Sequence, residues 1–305
     1  MLIFDGKQFA AQKEAQLLAR IHQLKSTVPG ITPHVGCLVF TEDQGGLVYS
    51  QEKQTVAARL GIVYDIVQTS LTKPIEELIK LVQSFANDPQ ITGIIIQKPW
   101  RANWQKAQLH SADSFEDFQT WWHTLTSEIP LNKDIDGLHP ETLEAVKTGT
   151  WQQQKLVLPA TCRAVLSILK SVQQHTPQQL DQEPAIIVGR SELLGTPLFF
   201  ELQHLGWPKV QLAGQKELGT LLNSPQQLRE FTTIISSTGI HNLITESMIR
   251  SGSIIIDAGF PQGDVDFEHI ASAATFITPV PNGVGPVTVI CLLENVIELC
   301  YNSAS

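Results

Sequence analysis

Tyr49 and Lys53 lie four residues apart in the run Tyr49-Ser-Gln-Glu-Lys53-Gln-Thr-Val-Ala-Ala-Arg-Leu-Gly61. In a helix, that spacing puts an aromatic ring and an ammonium group on one face, a turn apart. Val56, Ala57 and Leu60 continue the face with apolar side chains, while Gln51, Glu52, Gln54, Thr55 and Arg59 fill the opposite face. Lysine on an inward face is unusual, because it is almost never fully buried unless paired. Burial favours its neutral form, so such a lysine can move protons near neutral pH. The competing reading is a lysine at the edge of the stripe, its stem on apolar surface and its ammonium in water.

Three further segments carry candidate chemistry. Gly93-Ile-Ile-Ile-Gln97-Lys-Pro99 ends an apolar strand on an amide side chain. Ligands in open α/β sheets gather at the carboxyl ends of strands, which points to Gln97; the alternative is a surface residue opening a loop. Lys133-Asp-Ile-Asp136-Gly137 sets two carboxylates before a glycine turn. They read either as a binding pair or as an Asx-type turn and helix cap. Ala185-Ile-Ile-Val-Gly189-Arg190-Ser191-Glu-Leu-Leu-Gly195-Thr-Pro197 reads as strand, glycine turn and helix start. That joint aims backbone N–H groups at an anion such as a pyrophosphate, although it is not the G-x-G-x-x-G pattern and also occurs as a plain connection.

The elements that must position these residues follow from the hydropathy pattern. Strands are predicted over 35–40, 62–66, 93–96, 185–188, 210–212, 233–236, 254–257 and 275–277. Unbroken runs such as Ile94–Ile96 and Ile254–Ile256 suit strands covered on both faces. Helical patterns lie between them, as over 75–85 and 163–172, so the chain reads as α/β with parallel sheets. Gly149–Leu156 reads as a linker and Gln173–Glu183 as a polar surface loop. The C-terminus over 287–301 reads as an amphipathic helix with Pro286 at its first turn.

Composition narrows the function. The 305 residues suffice for two domains, and 42% apolar with 17% charged content fits a folded globular chain. A net charge of −9 gives no basic surplus for nucleic acid. There is no basic n-region before an apolar h-region, and no apolar run approaches the roughly 20 residues of a membrane span. Cys37, Cys162, Cys291 and Cys300 are scattered, so a reduced, cytoplasmic setting is expected, with Cys37 and Cys291 in the core. The nine histidines show no metal-ligand spacing, and no metal is expected.

Taken together and in order, these segments resemble the bifunctional methylenetetrahydrofolate dehydrogenase/cyclohydrolase family over almost the whole chain. Phe4-Asp-Gly-Lys resembles its opening, Tyr49 with Lys53 its Y-x-x-x-K helix, Gly93–Pro99 its G-I-L-V-Q-L-P strand and Lys133–His139 its K-D-V-D-G-F-H turn. Gly189–Pro197 is similar to G-R-S-x-x-V-G-x-P, and Gly263–Phe267 to G-D-V-D-F. The most specific likeness is Ile277-Thr-Pro-Val-Pro-Asn-Gly-Val-Gly-Pro-Val-Thr288 to I-T-P-V-P-G-G-V-G-P-M-T.

The resemblance implies two α/β domains with a cleft between them. Residues 1–148 and 287–305 would form a folate-binding catalytic domain, to which the C-terminal helix returns, and 149–286 a Rossmann-type NAD(P) domain. The reactions implied are oxidation of 5,10-methylenetetrahydrofolate to the methenyl form and hydrolysis of the methenyl form to 10-formyltetrahydrofolate. Alternatives are a cyclohydrolase alone, or a weakly catalytic folate- or nucleotide-binding paralogue. Lys53 would be the acid/base, Tyr49 would stack on the folate, Gln97 would tune Lys53 and Asp136 would accept hydrogen bonds from the pterin. Gly189, Arg190, Ser191, Gly195, Thr238, Asn282 and Gly283 would bind coenzyme, with Gly283 and Pro286 also at the substrate. A homodimer is implied, with no nucleic-acid or membrane partner.

Several positions depart from the family pattern. The P-C-T-P loop reads Pro159-Ala-Thr161-Cys162, the Ser of D-P-A-S-x-x-Y is Gly46, Lys98 replaces an apolar residue, and Asn282 replaces a glycine. The C-H-S-x-T turn reads Ala213-Gly-Gln-Lys-Glu217. The chain between Pro99 and Lys133 is longer by roughly 15 residues than the pattern, against usual connections of about 4–6. The segment over 101–127, with Trp104, Trp121 and Trp122, is therefore expected as an added surface element flanking the folate cleft, packed back on the body or on a partner subunit. No carboxylate precedes Glu217 at the end of the second Rossmann strand, where NAD sites place an acid, and Arg190 and Lys216 offer positive charge. NADP is thus expected with a modest preference and weak binding, NAD being the alternative.

Overall fold

The computed structural model describes residues 2–108, 115–176, 179–214, 216–219, 225–270 and 272–304. Residues 109–114 of the expected insertion, part of the Gln-rich loop and Gln215 of the coenzyme turn lie outside the described residues.

In chain order the elements are β1 (Leu2–Ile3), α1 (Gly6–Thr27), β2 (His34–Phe40), α2 (Gln44–Arg59), β3 (Val63–Thr69), α3 (Ile75–Asn87), β4 (Gly93–Ile96), α4 (Arg101–Ala107), α5 (Phe115–Thr126), α6 (Pro140–Thr148) and α7 (Ala160–His175). There follow β5 (Ala185–Val188), α8 (Gly195–His204), β6 (Val210–Ala213), β7 (Thr233–Ser236), β8 (Ile254–Asp257), α9 (Phe267–Ile270), β9 (Phe276–Ile277) and α10 (Val284–Ala304). The strand–helix alternation read from the sequence is present, and both sheets are parallel.

One compact unit comprises Glu14–Ala145, Thr150–Leu158 and Leu292–Ser305. Its three-stranded sheet has the order β3-β2-β4, with the centre of β2 and all of β4 buried. Leu292–Ser305 belong to this unit, where the Tyr301 hydroxyl donates to the Arg20 carbonyl at 3.1 Å. The inserted α4 and α5 add no strand. They pack an aromatic cluster against the end of β2: Trp121 lies 5.7 Å from Phe40 and 5.9 Å from both Trp104 and Phe118. Trp104, Phe118, Trp121 and Trp122 are buried, so the element is packed on the body. Burying such side chains is worth several kcal/mol in all, since one side chain is worth about 1.5–3 kcal/mol.

The other unit comprises Met1–Lys13, Val146–Gly149 and Pro159–Cys291. Its six-stranded sheet runs β1-β9-β8-β7-β5-β6, and apolar side chains cover both faces. Four-residue strands of Ile and Val, buried along their whole length, explain the absence of polar alternation in β5 and the near absence in β8.

This division departs from the expected boundaries. Met1–Lys13 falls with the six-stranded sheet, because Leu2 and Ile3 pair with Phe276 and Ile277. A two-residue strand is too short to carry a periodicity. The division falls within α1, α6 and α10, after Lys13, Ala145 and Cys291, and in loops after Gly149 and Leu158. The expected linker is packed: Trp151 and Leu156 are buried. Contrary to the sequence expectation, Val284–Ser303 has the length and composition of a membrane span, with mean hydropathy 1.5. It is 78% buried within the fold, as a core helix is.

Candidate active site

Helix α2 begins at Asp43, whose carboxylate accepts the Gly46 N–H at 3.3 Å as an N-cap. It ends at Leu60, and Gly61 turns the chain with φ 67°. Its buried stripe runs Gly46, Ser50, Lys53, Ala57. Tyr49 and Val56, expected on the inward face, are half-buried at its edge. Lys53 itself is 3% exposed, so the snorkelling alternative does not hold.

The Lys53 ammonium donates to Gln97 Oε1 at 3.0 Å and lies 4.5 Å from the centre of the Tyr49 ring. Gln97 follows directly on β4, and its N–H donates to the Leu38 carbonyl at 2.8 Å, extending the sheet by one bond. Burial lowers the Lys53 pKa, while the charge of Asp136 and the nearby Cys37 oppose the fall. Burial, with Asp136 and Glu52, drives the Tyr49 phenol upward, so the ring remains neutral. The structure therefore brings Tyr49, Lys53, Gln97 and Asp136 into one electrostatic group.

The two carboxylates of the 133–137 segment divide the competing readings. Asp134 is buried and makes the turn: its carboxylate accepts Leu138 N–H at 2.8 Å, His139 N–H at 3.0 Å and the Thr142 hydroxyl at 2.7 Å. Asp136 is half-buried and its charge acts on Lys53. Gly137, at φ 66°, supplies the left-handed residue between Asp136 and Leu138.

In the other unit Gly189 has φ 116°, and a Cβ there would stand against the Ser237 carbonyl. A Cβ on Gly195 would collide with the Gly189 carbonyl, so both positions require glycine. Ser191 Oγ accepts the Gly195 N–H at 3.2 Å and closes the turn onto the start of α8. Thr238 is held through its N–H, 2.6 Å from Asp264 Oδ2. Asn282 has φ 80°, a conformation asparagine tolerates, and its carbonyl accepts the Gly6 N–H at 3.0 Å. Gly283 is buried and Pro286 half-buried at the start of α10.

Residues 4–115 match the catalytic domain of the tetrahydrofolate dehydrogenase/cyclohydrolase family, and residues 159–304 match its NAD(P)-binding domain. The chain belongs to the tetrahydrofolate dehydrogenase/cyclohydrolase family. It is 30% identical over 304 residues to the bifunctional protein FolD of Lactobacillus helveticus, covering 97% of this chain and 96% of that one. Among solved structures it is similar to the bifunctional FolD methylenetetrahydrofolate dehydrogenase/cyclohydrolase of Campylobacter jejuni, at 26% identity, TM-score 0.82 and 99% coverage of each chain. A 5,10-methylenetetrahydrofolate dehydrogenase of the silkworm Bombyx mori matches at 26% identity and TM-score 0.80, over 99% of this chain and 98% of that one. The chain is accordingly an enzyme of both activities, methylene oxidation with NAD(P) and methenyl hydrolysis.

The departures of this tetrahydrofolate dehydrogenase/cyclohydrolase have local causes. At Gly46 a Cβ would stand 2.6 Å from Asp43 Oδ2 and 2.9 Å from Gln97 Cγ, so glycine lets both side chains close on α2. The Lys98 ammonium lies 5.0 Å from the Trp122 ring and 5.7 Å from Phe118, tying the loop after β4 to the inserted helix. Pro159-Ala-Thr-Cys162 opens α7, with Ala160 and Cys162 buried. The glycine-lined turn, with its tight backbone approach at the start of α8, fits a dinucleotide. At the end of β6 a carboxylate is present after all: Glu217 accepts Gly214 N–H at 2.9 Å and pairs with Arg190 at 3.1 Å. A helical turn carries it back to a strand end that is bare in the linear sequence.

Sequence reasoning missed the surroundings of these residues. Cys37 and Ser50 are fully buried beside the Lys53 stripe, with the thiol 3.6 Å from the Ser50 hydroxyl. Asp257 and Asp264 form a buried acidic pair at the end of β8. The available signal was a polar residue inside an apolar run, as at Asn295 in α10.

Proposed function

We propose that Lys53 is the proton-transfer group of the cyclohydrolase step, Tyr49 the ring that stacks on the folate, Gln97 the acceptor that orients Lys53 and Asp136 the pterin acceptor. The observation that carries this reading is the Lys53 ammonium buried between Gln97 Oε1 and the Tyr49 ring. The methenyl bridge is a cationic electrophile. Water attacks its carbon and must lose a proton as it does so, and a desolvated amine accepts that proton. The adduct's hydroxyl then loses its proton as the C=O forms, the bond from that carbon to N5 breaks with N5 taking up a proton, and the formyl group is left on N10 with one proton released overall. Hydrogen bonding to Gln97 keeps the amine aimed while it changes charge. A carboxylate at Asp136 matches the adjacent amino group and ring N–H of a pterin in bidentate fashion.

Gly189, Arg190, Ser191, Gly195, Thr238, Asn282 and Gly283 would hold the coenzyme, with Gly283 and Pro286 next to the substrate. When bound, the nicotinamide supplies the hydride acceptor for methylene oxidation. The chain's own contribution is the glycine turn that admits the pyrophosphate and the Arg190 guanidinium at the adenosine end. Arg190 favours a 2′-phosphate, but Glu217 competes for it, so NADP is preferred modestly and bound weakly. A cytoplasmic location and a homodimer complete the proposal. The test is a steady-state assay of methylene oxidation with each coenzyme, alongside methenyl hydrolysis, for wild type and Lys53→Met. Near-normal hydrolysis by a folded Lys53→Met protein would remove Lys53 from the mechanism, and tighter NAD than NADP binding would reverse the coenzyme preference.

A further inference from the structure

Asn295 lies in the apolar run of α10 and is fully buried. Its Nδ2 donates twice, to the Ile135 carbonyl at 2.9 Å and to the Leu158 carbonyl at 2.8 Å. Both protons of the carboxamide are thus spent on backbone of irregular segments remote in sequence. Ile135 immediately precedes Asp136. Beyond Asp136 the backbone is held as well, by the two N–H bonds from Leu138 and His139 to Asp134. The Ile135 side chain is seated over Gly93, where any Cβ would strike it. The peptide carrying Asp136 is therefore fixed on both sides. On its N-terminal side the Ile135 carbonyl is anchored to a side chain of α10.

We infer that Asn295 is a positioning residue for Asp136: by holding the Ile135 carbonyl it sets the direction in which the Asp136 carboxylate meets the pterin. This rests on the reading of Asp136 as the pterin acceptor. A paired hydrogen bond tolerates little displacement, since its strength falls steeply with angle and distance. Releasing the Ile135 carbonyl frees the two torsions ahead of Asp136 while leaving Lys53, Gln97 and Tyr49 in place. The consequence is a loss of substrate binding, with the chemical step largely retained.

A double-mutant cycle separates this role from a purely structural one. Asn295→Ala, Asp136→Ala and the double variant are assayed for methenyltetrahydrofolate hydrolysis, with coenzyme titration and thermal unfolding as controls. Asn295→Ala should raise KM by about tenfold, change kcat by less than about threefold and leave coenzyme affinity unchanged. In the Asp136→Ala background the same substitution should change KM by less than about twofold, because the group it positions is gone. An equal penalty in both backgrounds, or an unchanged KM in the otherwise wild-type protein, overturns the inference. If Asn295→Ala does not fold, Asn295→Ser keeps one donor and runs the same cycle. If neither folds, Asn295 is a stability residue and the positioning role falls. Asp136→Ala alone with unchanged KM would instead sink the underlying reading of Asp136, whatever Asn295 does.

Discussion

Lys53 and Asp257 are both buried ionisable residues, each 3% exposed, and each belongs to a different parallel sheet unit. Burial pushes both toward their neutral forms: the Lys53 pKa falls, and that of Asp257 rises to about 6. Their surroundings differ. Asp257 accepts three backbone N–H groups, from Gly259 at 2.8 Å, Asp264 at 3.2 Å and Val265 at 3.0 Å. It knots the loop after β8, and its remaining perturbation comes from desolvation and its neighbour Asp264. Lys53 meets one amide oxygen, the face of an aromatic ring and the field of a half-buried carboxylate. The comparison teaches that a perturbed pKa marks a functional group only when hydrogen-bonding capacity is left over for a ligand. An ammonium has three protons to give, whereas the Asp257 carboxylate is bound by the loop it closes.

The sharpest way to break this contrast is Lys53→Met. It should lower hydrolysis by about 10²–10⁴-fold, the usual worth of a positioned acid/base, with the far-ultraviolet circular dichroism unchanged. In the wild type, the hydrolysis rate should rise with pH through an inflection below the ordinary lysine value of about 10.4, because the neutral amine is the active form and burial favours it. A profile that lacks the inflection in wild type, or keeps it in Lys53→Met, would assign the step elsewhere.

Asp257→Asn tests the other half. The folded protein holds this proton up to about pH 6, whereas an unfolded aspartate releases it near 4. The stability it contributes is therefore present below about pH 4 and is lost as pH rises through about 6, at most about 3 kcal/mol in all. Denaturant unfolding at several pH values should show that slope in wild type and not in Asp257→Asn, with methenyl hydrolysis little changed. A loss of hydrolysis comparable to that of Lys53→Met would end the distinction between the two residues.

Asp136→Ala should weaken folate binding by roughly ten- to a hundredfold, the worth of a charge-assisted hydrogen bond, without altering coenzyme affinity. A folate titration identical to wild type would leave Asp136 as a turn residue like Asp134. The smallest effect is expected at Glu217→Gln, which frees Arg190 from an exposed ion pair. NADP affinity should improve roughly two- to fivefold, with little change for NAD. Equal gains for both coenzymes would show that Arg190 does not read the 2′-phosphate.

Much of this organisation was legible in residue order. Ile94–Ile96 and Ile254–Ile256 announced buried parallel strands because no polar alternation interrupts them. Tyr49, Lys53 and Ala57 announced a helix face because their spacing matches its period. Gly189 and Gly195 read in sequence as a strand–turn–helix joint, and in the structure a side chain at either position would meet a carbonyl. Less legible was the extent of each unit. Leu2 and Ile3 carry no periodic signal, yet they complete the six-stranded sheet through pairing with β9. The insertion could be read as packed from its tryptophans, but nothing in the order of residues says that Lys98 sits against Trp122.

The sequence by itself determined the strands β2 to β9, the parallel sheets, the family motifs and the residue types able to do the chemistry. Those depend on local propensity, side-chain periodicity and glycine geometry, which act over a few residues. Only the tertiary structure decided that Lys53 is buried rather than snorkelling, that Asp134 makes the turn while the half-buried Asp136 acts on Lys53, and that Glu217 meets Arg190. It alone brought Asn295 to the Ile135 carbonyl, 160 positions away. Each of those outcomes depends on which distant groups share a low-dielectric environment and satisfy one another's hydrogen bonds, and that is a property of packing rather than of order along the chain.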